Sequence, residues 1–269
     1  VLSFKRIAAP GARPTRRVAF LHGILGRGQN WRSVAKALVE ARPDVEAVLV
    51  DLRAHGDSRH VPPPDDLESA ADDVAQLLRD EPVETLLGHS FGGKVALKVA
   101  EQPPAALKRL VVIDSNPGAR PARRGSEGTM KVVDMLEALP PSFPNRRAFI
   151  EHVVAQGHRP ALARWLAMNL ERTKGGGVAF GLDASRIRDL LDGYFEEDLW
   201  SVLEAPPARL EQVDLIIGGR STVLDEGDRE RAREAGPATL VHLLPEADHW
   251  VHVDDPAGLQ RVLLKSVPE

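Results

Sequence analysis

The 269-residue chain contains no cysteine. That absence excludes a disulfide framework, a thiolate zinc site and a cysteine nucleophile. No apolar run approaches the roughly 20 residues that a membrane-spanning helix needs. The opening Val1-Leu2-Ser3-Phe4-Lys5-Arg6 lacks the apolar centre of a secretory signal. A cytoplasmic location is the expectation. An excess of one charge is missing too. The 35 basic and 39 acidic residues leave a net charge of −4, which supplies no bulk attraction to nucleic acid or to an anionic membrane. Arg120, Arg123 and Arg124 do cluster, but Pro117, Gly118, Pro121 and Gly125 around them predict a solvated loop. Internal repeats and low-complexity tails are absent. Gly23-x-x-Gly26 has neither the spacing of a dinucleotide fingerprint nor the Gly-Lys-Ser/Thr of a phosphate loop. His55 and Asp57 lack a convincing metal-ligand spacing, so neither metal nor cofactor is expected.

What is present is the pattern of an α/β domain. The chain is long enough for one large domain, or for one domain carrying an insertion, and can bury a sizeable core. Arg17 to Leu21, Val45 to Val50, Val83 to Leu87 and Arg109 to Ile113 read as buried strands. Asn30 to Glu40, with Asn30 as cap, and Asp66 to Arg79 read as helices between them. This alternation predicts a parallel sheet covered on both faces, with ligands gathered at the carboxyl ends of its strands. Beyond Asn116 the strand signal fades. Val132 to Leu139, Arg147 to Val154 and Ala161 to Leu170 read as helices, and Gly175-Gly176-Gly177 as a turn. Alternation resumes with strands at Val213 to Ile217 and Thr239 to Leu244, and Asp255-Pro256 opens a last helix. The expected division is a core over 1–117 and 206–269, interrupted by a helical cap over 118–205. So long a strand-free stretch exceeds an ordinary crossover.

The richest chemistry sits at Gly88-His89-Ser90-Phe91-Gly92, between a strand and the helix-like Lys94 to Ala100. Small residues at both ends allow a sharp turn with the serine exposed at its tip, as in a nucleophile elbow. A serine hydroxyl needs a base within hydrogen-bond reach, and the base needs an orienting acid. His249, in Glu246-Ala247-Asp248-His249-Trp250-Val251-His252, is the best base, because it follows the last strand at the same edge of the sheet. Two acids are candidates. Asp114 directly follows the strand ending at Ile113, and Asp225 follows the later strand after a longer loop, where the nearer position holds Ser221. Donors for an oxyanion are expected from the backbone N–H of Ile24, in Leu21-His22-Gly23-Ile24-Leu25-Gly26, and of Phe91. His22 reads as a brace for that loop.

Four segments together resemble the α/β-hydrolase family: Leu21 to Gly26, Asp51-Leu52-Arg53-Ala54-His55-Gly56-Asp57-Ser58, Gly88 to Gly93, and Asp248-His249-Trp250. The resemblance implies an eight-stranded, mostly parallel sheet flanked by helices, with a helical lid. It implies Ser90 as nucleophile, His249 as base, and Ile24 and Phe91 as oxyanion donors. Val112-Ile113-Asp114-Ser115-Asn116-Pro117 and Gly218-Gly219-Arg220-Ser221 are similar to a subgroup of bacterial esterases and acyl-CoA thioesterases. In that subgroup the acid follows the strand after the nucleophile strand, which favours Asp114 over Asp225.

The function expected is hydrolysis of a small-molecule ester or thioester through an acyl-enzyme on Ser90. Leu139, Phe149, Trp165 and Leu170 are candidates to line an acyl pocket, or else to form the core of the lid. One alternative is a carbon–carbon bond lyase or hydrolase of the same fold, like the menaquinone-pathway enzyme, with Arg53, Lys94 or Arg124 meeting an acidic substrate. Another is a non-catalytic binding protein that retains the fold.

Overall fold

A computed structural model describes residues 1–123 and 127–268; Arg124 lies outside them. Nine strands are present among these residues: β1 (Phe4–Ile7), β2 (Arg16–Leu21), β3 (Val45–Val50), β4 (Thr85–His89), β5 (Arg109–Ile113), β6 (Leu170–Arg172), β7 (Val178–Phe180), β8 (Gln212–Gly218) and β9 (Thr239–Leu244). Seven of them form the main sheet in the order β1-β3-β2-β4-β5-β8-β9. All neighbours are parallel except β1, which runs antiparallel to β3. The eight strands implied by the resemblance are thus corrected to seven. The chain before β2 supplies only one short strand beyond β3, so that edge is one strand narrower.

Side chains alternate across the sheet as the pleat requires. Val18 and Phe20 of β2, Ala47 and Leu49 of β3, and Val111 and Ile113 of β5 belong to one apolar cluster. Ala19 and Leu21, Val48 and Val50, and Leu110 and Val112 belong to the other. Two helices cover the first face, α1 (Arg32–Ala41) and, at the chain's end, the helix Pro256–Ser266. The second face is covered by α2 (Leu67–Asp80) and α3 (Phe91–Glu101). Asp66 caps α2, its side chain accepting from Ser69 N. Asn30 does not cap α1. It lies in the preceding 3-10 turn, and its Oδ1 accepts from Arg27 N instead.

Between β5 and β8 the chain forms α4 (Glu127–Glu137), α5 (Arg146–Ala155), α6 (Pro160–Leu166), the β6–β7 hairpin, α7 (Ala184–Glu196) and α8 (Trp200–Glu204). This stretch is not strand-free: Leu170–Arg172 pairs antiparallel with Val178–Phe180 around the triple glycine. Three-residue strands are too short to show a period of two, so the sequence hides them. The stretch is tied to the core by polar anchors. Asn169 Nδ2 donates to Leu25 O at 2.8 Å. Arg186 donates to both oxygens of Asp65 and to the carbonyls of Arg59 and Val61. The last elements are α9 (Glu226–Arg233), α10 (Val251–Asp254) and α11, the Pro256–Ser266 helix. No helix among the described residues is long and apolar enough to cross a membrane.

Candidate active site

Because β2, β3, β4, β5, β8 and β9 are parallel, the loops leaving them gather at one edge. The turn after β4 is sharp. Ser90 sits there at φ 54° and ψ −120°, a backbone conformation that a side chain adopts at a cost of about 1–3 kcal/mol. Close backbone approach makes the turn possible. A Cβ on Gly88 would lie 2.1 Å from the carbonyl oxygen of Gly92, and one on Gly92 would lie 2.5 Å from that of His22. Ser90 N donates to Ile113 O, which ties the turn to the end of β5.

Ser90 Oγ lies 3.1 Å from Nε2 of His249. Nδ1 of the same ring lies 2.7 Å from Oδ2 of Asp114. An ionised carboxylate only accepts, so Nδ1 carries the ring proton and Nε2 is left to accept from the serine hydroxyl. Asp114 is fully buried, and three donors face its carboxylate. Gly218 N–H reaches Oδ1 at 3.0 Å, and the Ser221 hydroxyl reaches Oδ2 at 2.6 Å beside the imidazole. The sequence offered Ser221 only as a missing acid. The structure gives it a different part, as a donor to Asp114 at the end of the neighbouring strand. Asp225 stands apart. It is exposed and caps α9, its carboxylate accepting from Asp228 N.

The sequence gives His89 no role beyond its place in the elbow. Its Nε2–H donates to the backbone carbonyl of His249 at 2.8 Å, and the two rings lie 4.7 Å apart between centroids. Burial, with the neighbouring His249 and His252, keeps it well below the usual histidine range, so it is a neutral strut for the base.

The other loops at this edge brace each other through neutral histidines. His22 Nε2 accepts from Leu52 N and its Nδ1–H donates to Gly23 O. His55 Nε2 accepts from Leu25 N and its Nδ1–H donates to Arg53 O. Burial pushes His22 down to about 4 and His55 to about 3. Both therefore take up a proton in the unfolded chain near pH 6.5, but in the folded chain only near those lower values. Stability is full above pH 6.5 and falls as pH drops toward 4, by on the order of 3 kcal/mol for His22 alone. Melting temperature measured between pH 7.5 and 4.5 is expected to fall steadily. A flat profile would contradict the neutral burial of these rings.

Two chambers meet at Ser90. The larger, about 590 Å³, runs from the β2 and β4 loops to Thr129 and Val132 of α4, Leu162 and Trp165 of α6, and Trp250. The smaller, about 140 Å³, is bordered by Ile24, Phe91, Tyr194 and Ser221. Ile24 and Phe91, the two expected oxyanion donors, thus flank the same chamber beside the serine. The N–H of Phe91 lies in the first turn of α3, where no intrahelical acceptor exists. Of the four apolar residues singled out for an acyl pocket, Trp165 lines the larger chamber. Phe149 is fully buried in the apolar core, and Leu139 and Leu170 pack against it. Arg53 and Lys94 also lie elsewhere. Arg53 is paired with Asp73 at 2.8 Å. Lys94 is buried, with Nζ donating to Gly118 O and 4.7 Å from the Tyr194 ring centroid, and burial pushes it down to about 7.

A model of the alpha/beta hydrolase family matches residues 18–261. The chain belongs to the α/β-hydrolase family. Over 249 residues this α/β-hydrolase is 31% identical to the sn-1-specific diacylglycerol lipase ABHD11 of Mus musculus, covering 89% of this chain and 76% of that one. It is 27% identical over 259 residues to Esterase Rv0045c of Mycobacterium tuberculosis, covering 92% and 81%. Among solved structures, a marine microorganism esterase matches this hydrolase with a TM-score of 0.82 at 24% identity over 99% of both chains, a likeness of fold.

Proposed function

We propose that the chain is a serine hydrolase that cleaves carboxylic esters or thioesters through an acyl-enzyme on Ser90. The observation that carries this reading is the hydrogen-bonded line Ser90 Oγ–His249–Asp114 opening onto the 590 Å³ chamber. In the first step Nε2 of His249 takes the hydroxyl proton as Oγ attacks the carbonyl carbon. The imidazolium that forms keeps Nδ1–H on Asp114, whose buried charge stabilises it. The carbonyl oxygen, now negative, is met by the N–H groups of Ile24 and Phe91. Collapse expels the alcohol or thiol, which takes the proton back from Nε2. A water then follows the same route, with His249 as base, and releases the acid. Gly218 N–H and the Ser221 hydroxyl keep the Asp114 carboxylate aimed at Nδ1 throughout.

The reading is supported by relatives that carry the names of a lipase and an esterase. Residues 118–205 serve in it as a cap that completes the chamber over the core of 1–117 and 206–269, since α4 and α6 supply much of its wall. The carbon–carbon lyase alternative needs cations for an acidic substrate. Both described candidates, Arg53 and Lys94, are engaged away from the chamber, which leaves Arg159 as the one lysine or arginine in its described lining.

The test is a series of p-nitrophenyl esters of increasing acyl length, with fluorophosphonate labelling of the purified protein. Turnover of at least one ester is expected, with label on Ser90 and none on Ser90→Ala. An unlabelled, inactive protein would end the reading.

A further inference from the structure

The larger chamber is lined mostly by apolar and neutral polar groups. Among its described lining residues Arg159 is the only Lys, Arg, Asp or Glu. Its neighbours in the wall do not offset it. Burial pushes His22 and His252 down to about 4 and keeps His89 low as well, so these three rings are neutral at neutral pH. The Arg159 side chain forms no cap bond to α6 and has no ion-pair partner among the described residues. Two arginines of the same stretch are tied down, Arg188 to Asp134 and Glu137 and Arg146 to the carbonyls of Arg164 and Ala167. Among the described lining residues the one carboxylate bordering either chamber, Asp248, lines the smaller one and accepts from His249 N. The two chambers thus differ in sign of charge, with the cation on the side of the larger.

We propose that Arg159 selects esters or thioesters bearing an anionic group, carboxylate or phosphate, remote from the scissile carbonyl. The proposal rests on the reading of Ser90 as acyl acceptor. Arg159 is exposed, so solvent partly screens its guanidinium, and its pair with an oxyanion at the chamber wall is a charge-assisted hydrogen bond of modest strength. The same charge disfavours cationic substrates. The anion can belong to the acyl part or to the leaving group, and both place it in the larger chamber.

The experiment compares matched pairs. p-Nitrophenyl hemiglutarate against p-nitrophenyl valerate places a carboxylate on the acyl side. Butyryl-phosphopantetheine against butyryl-pantetheine places a phosphate on the leaving side. In at least one pair the anionic member is expected to have a kcat/KM about threefold higher or more. Arg159→Gln should collapse that ratio toward one, and Arg159→Glu should invert it. Preference in the first pair alone assigns the anion to the acyl part, and in the second alone to the leaving group. Ratios near one in both pairs, or ratios unaltered in Arg159→Gln, overturn the proposal even though the neutral esters are turned over. If no ester of either kind is cleaved and Ser90 takes no label, the hydrolase reading itself has failed. Calorimetric titration of Ser90→Ala with methyl hemiglutarate then decides the anion preference separately. Binding that disappears in the double variant Ser90→Ala/Arg159→Gln supports it, and binding that persists, or is never seen, overturns it.

Discussion

Asp114→Asn is expected to lower kcat/KM for a p-nitrophenyl ester by about 10,000-fold while the protein stays folded. The reason is a conflict of donors. In the native site every group facing the carboxylate donates to it: Gly218 N–H on Oδ1, and Ser221 Oγ–H and His249 Nδ1–H on Oδ2. An asparagine must turn its NH2 toward one side or the other. Facing Gly218 it meets a backbone N–H that cannot reverse. Facing His249 it forces the imidazole to accept at Nδ1, which moves the ring proton to Nε2 and leaves nothing to take the proton from Ser90. The negative charge that stabilises the imidazolium is lost in either orientation. Asp225→Asn is expected to leave turnover within about twofold, and stability within a few tenths of a kcal/mol, because asparagine caps a helix as well as aspartate does. Steady-state kinetics on both variants, with circular dichroism to verify folding, checks the pair. A large loss in Asp225→Asn with little in Asp114→Asn would transfer the acid's role to Asp225.

Gly88→Ala is expected to destabilise the fold by about 3 kcal/mol or more. The added methyl would meet the carbonyl oxygen of Gly92 at 2.1 Å and its carbonyl carbon at 2.5 Å. Both are backbone atoms of the first turn of α3, so no side chain can swing aside. Relief requires prising α3 away from the end of β4, in the middle of the sheet, where Leu86, Leu87, Val95 and Ala96 are fully buried. A fall in melting temperature of about 5–10 °C is the measure, with ester turnover lost in parallel because Ser90 turns with the same backbone. Gly227→Ala is the contrast. It sits in α9 with only the Asp225 side chain near, at 3.4 Å, and should leave the melting temperature unchanged or slightly higher, since alanine outranks glycine in a helix. Equal melting temperatures for wild type and Gly88→Ala would refute the close-approach account of the elbow.

Much of this architecture was legible because it is local. All six strands expected from apolar runs are present, shifted at most by two residues: the run Val83 to Leu87 becomes Thr85–His89, carried on through Gly88 into the elbow. The strands missed are those with no room for a pattern. Phe4–Ile7 spends its middle two residues on exposed Lys5 and Arg6, and β6 and β7 have three residues each. The lining of the chamber was legible only in part. Trp165 and Phe149 are both large aromatics in helices of the same stretch, yet one lines the chamber and the other is wholly buried in the apolar core. Which face of a helix meets the core depends on its neighbours, and those belong to distant parts of the chain.

The candidate site divides along the same line. From the sequence alone came the turn that presents Ser90, because two glycines flanking a serine between a strand and a helix are a local geometric requirement. The rule that strand-following loops share one edge came from the alternation of elements, and with it the short list of His249, Asp114 and Asp225. The resemblance already favoured Asp114 over Asp225, and the tertiary structure adds the geometry on which that preference is proposed. Strand β5 lies between β4 and β8, which sets Asp114 under the His249 ring with Ser221 from the β8 loop donating to the same oxygen. The neutral strut from His89 to the His249 carbonyl, and the single guanidinium among the described residues of the chamber wall, belong to that level as well. Contacts between residues more than 100 positions apart are set by sheet order and helix packing, which no window of sequence contains.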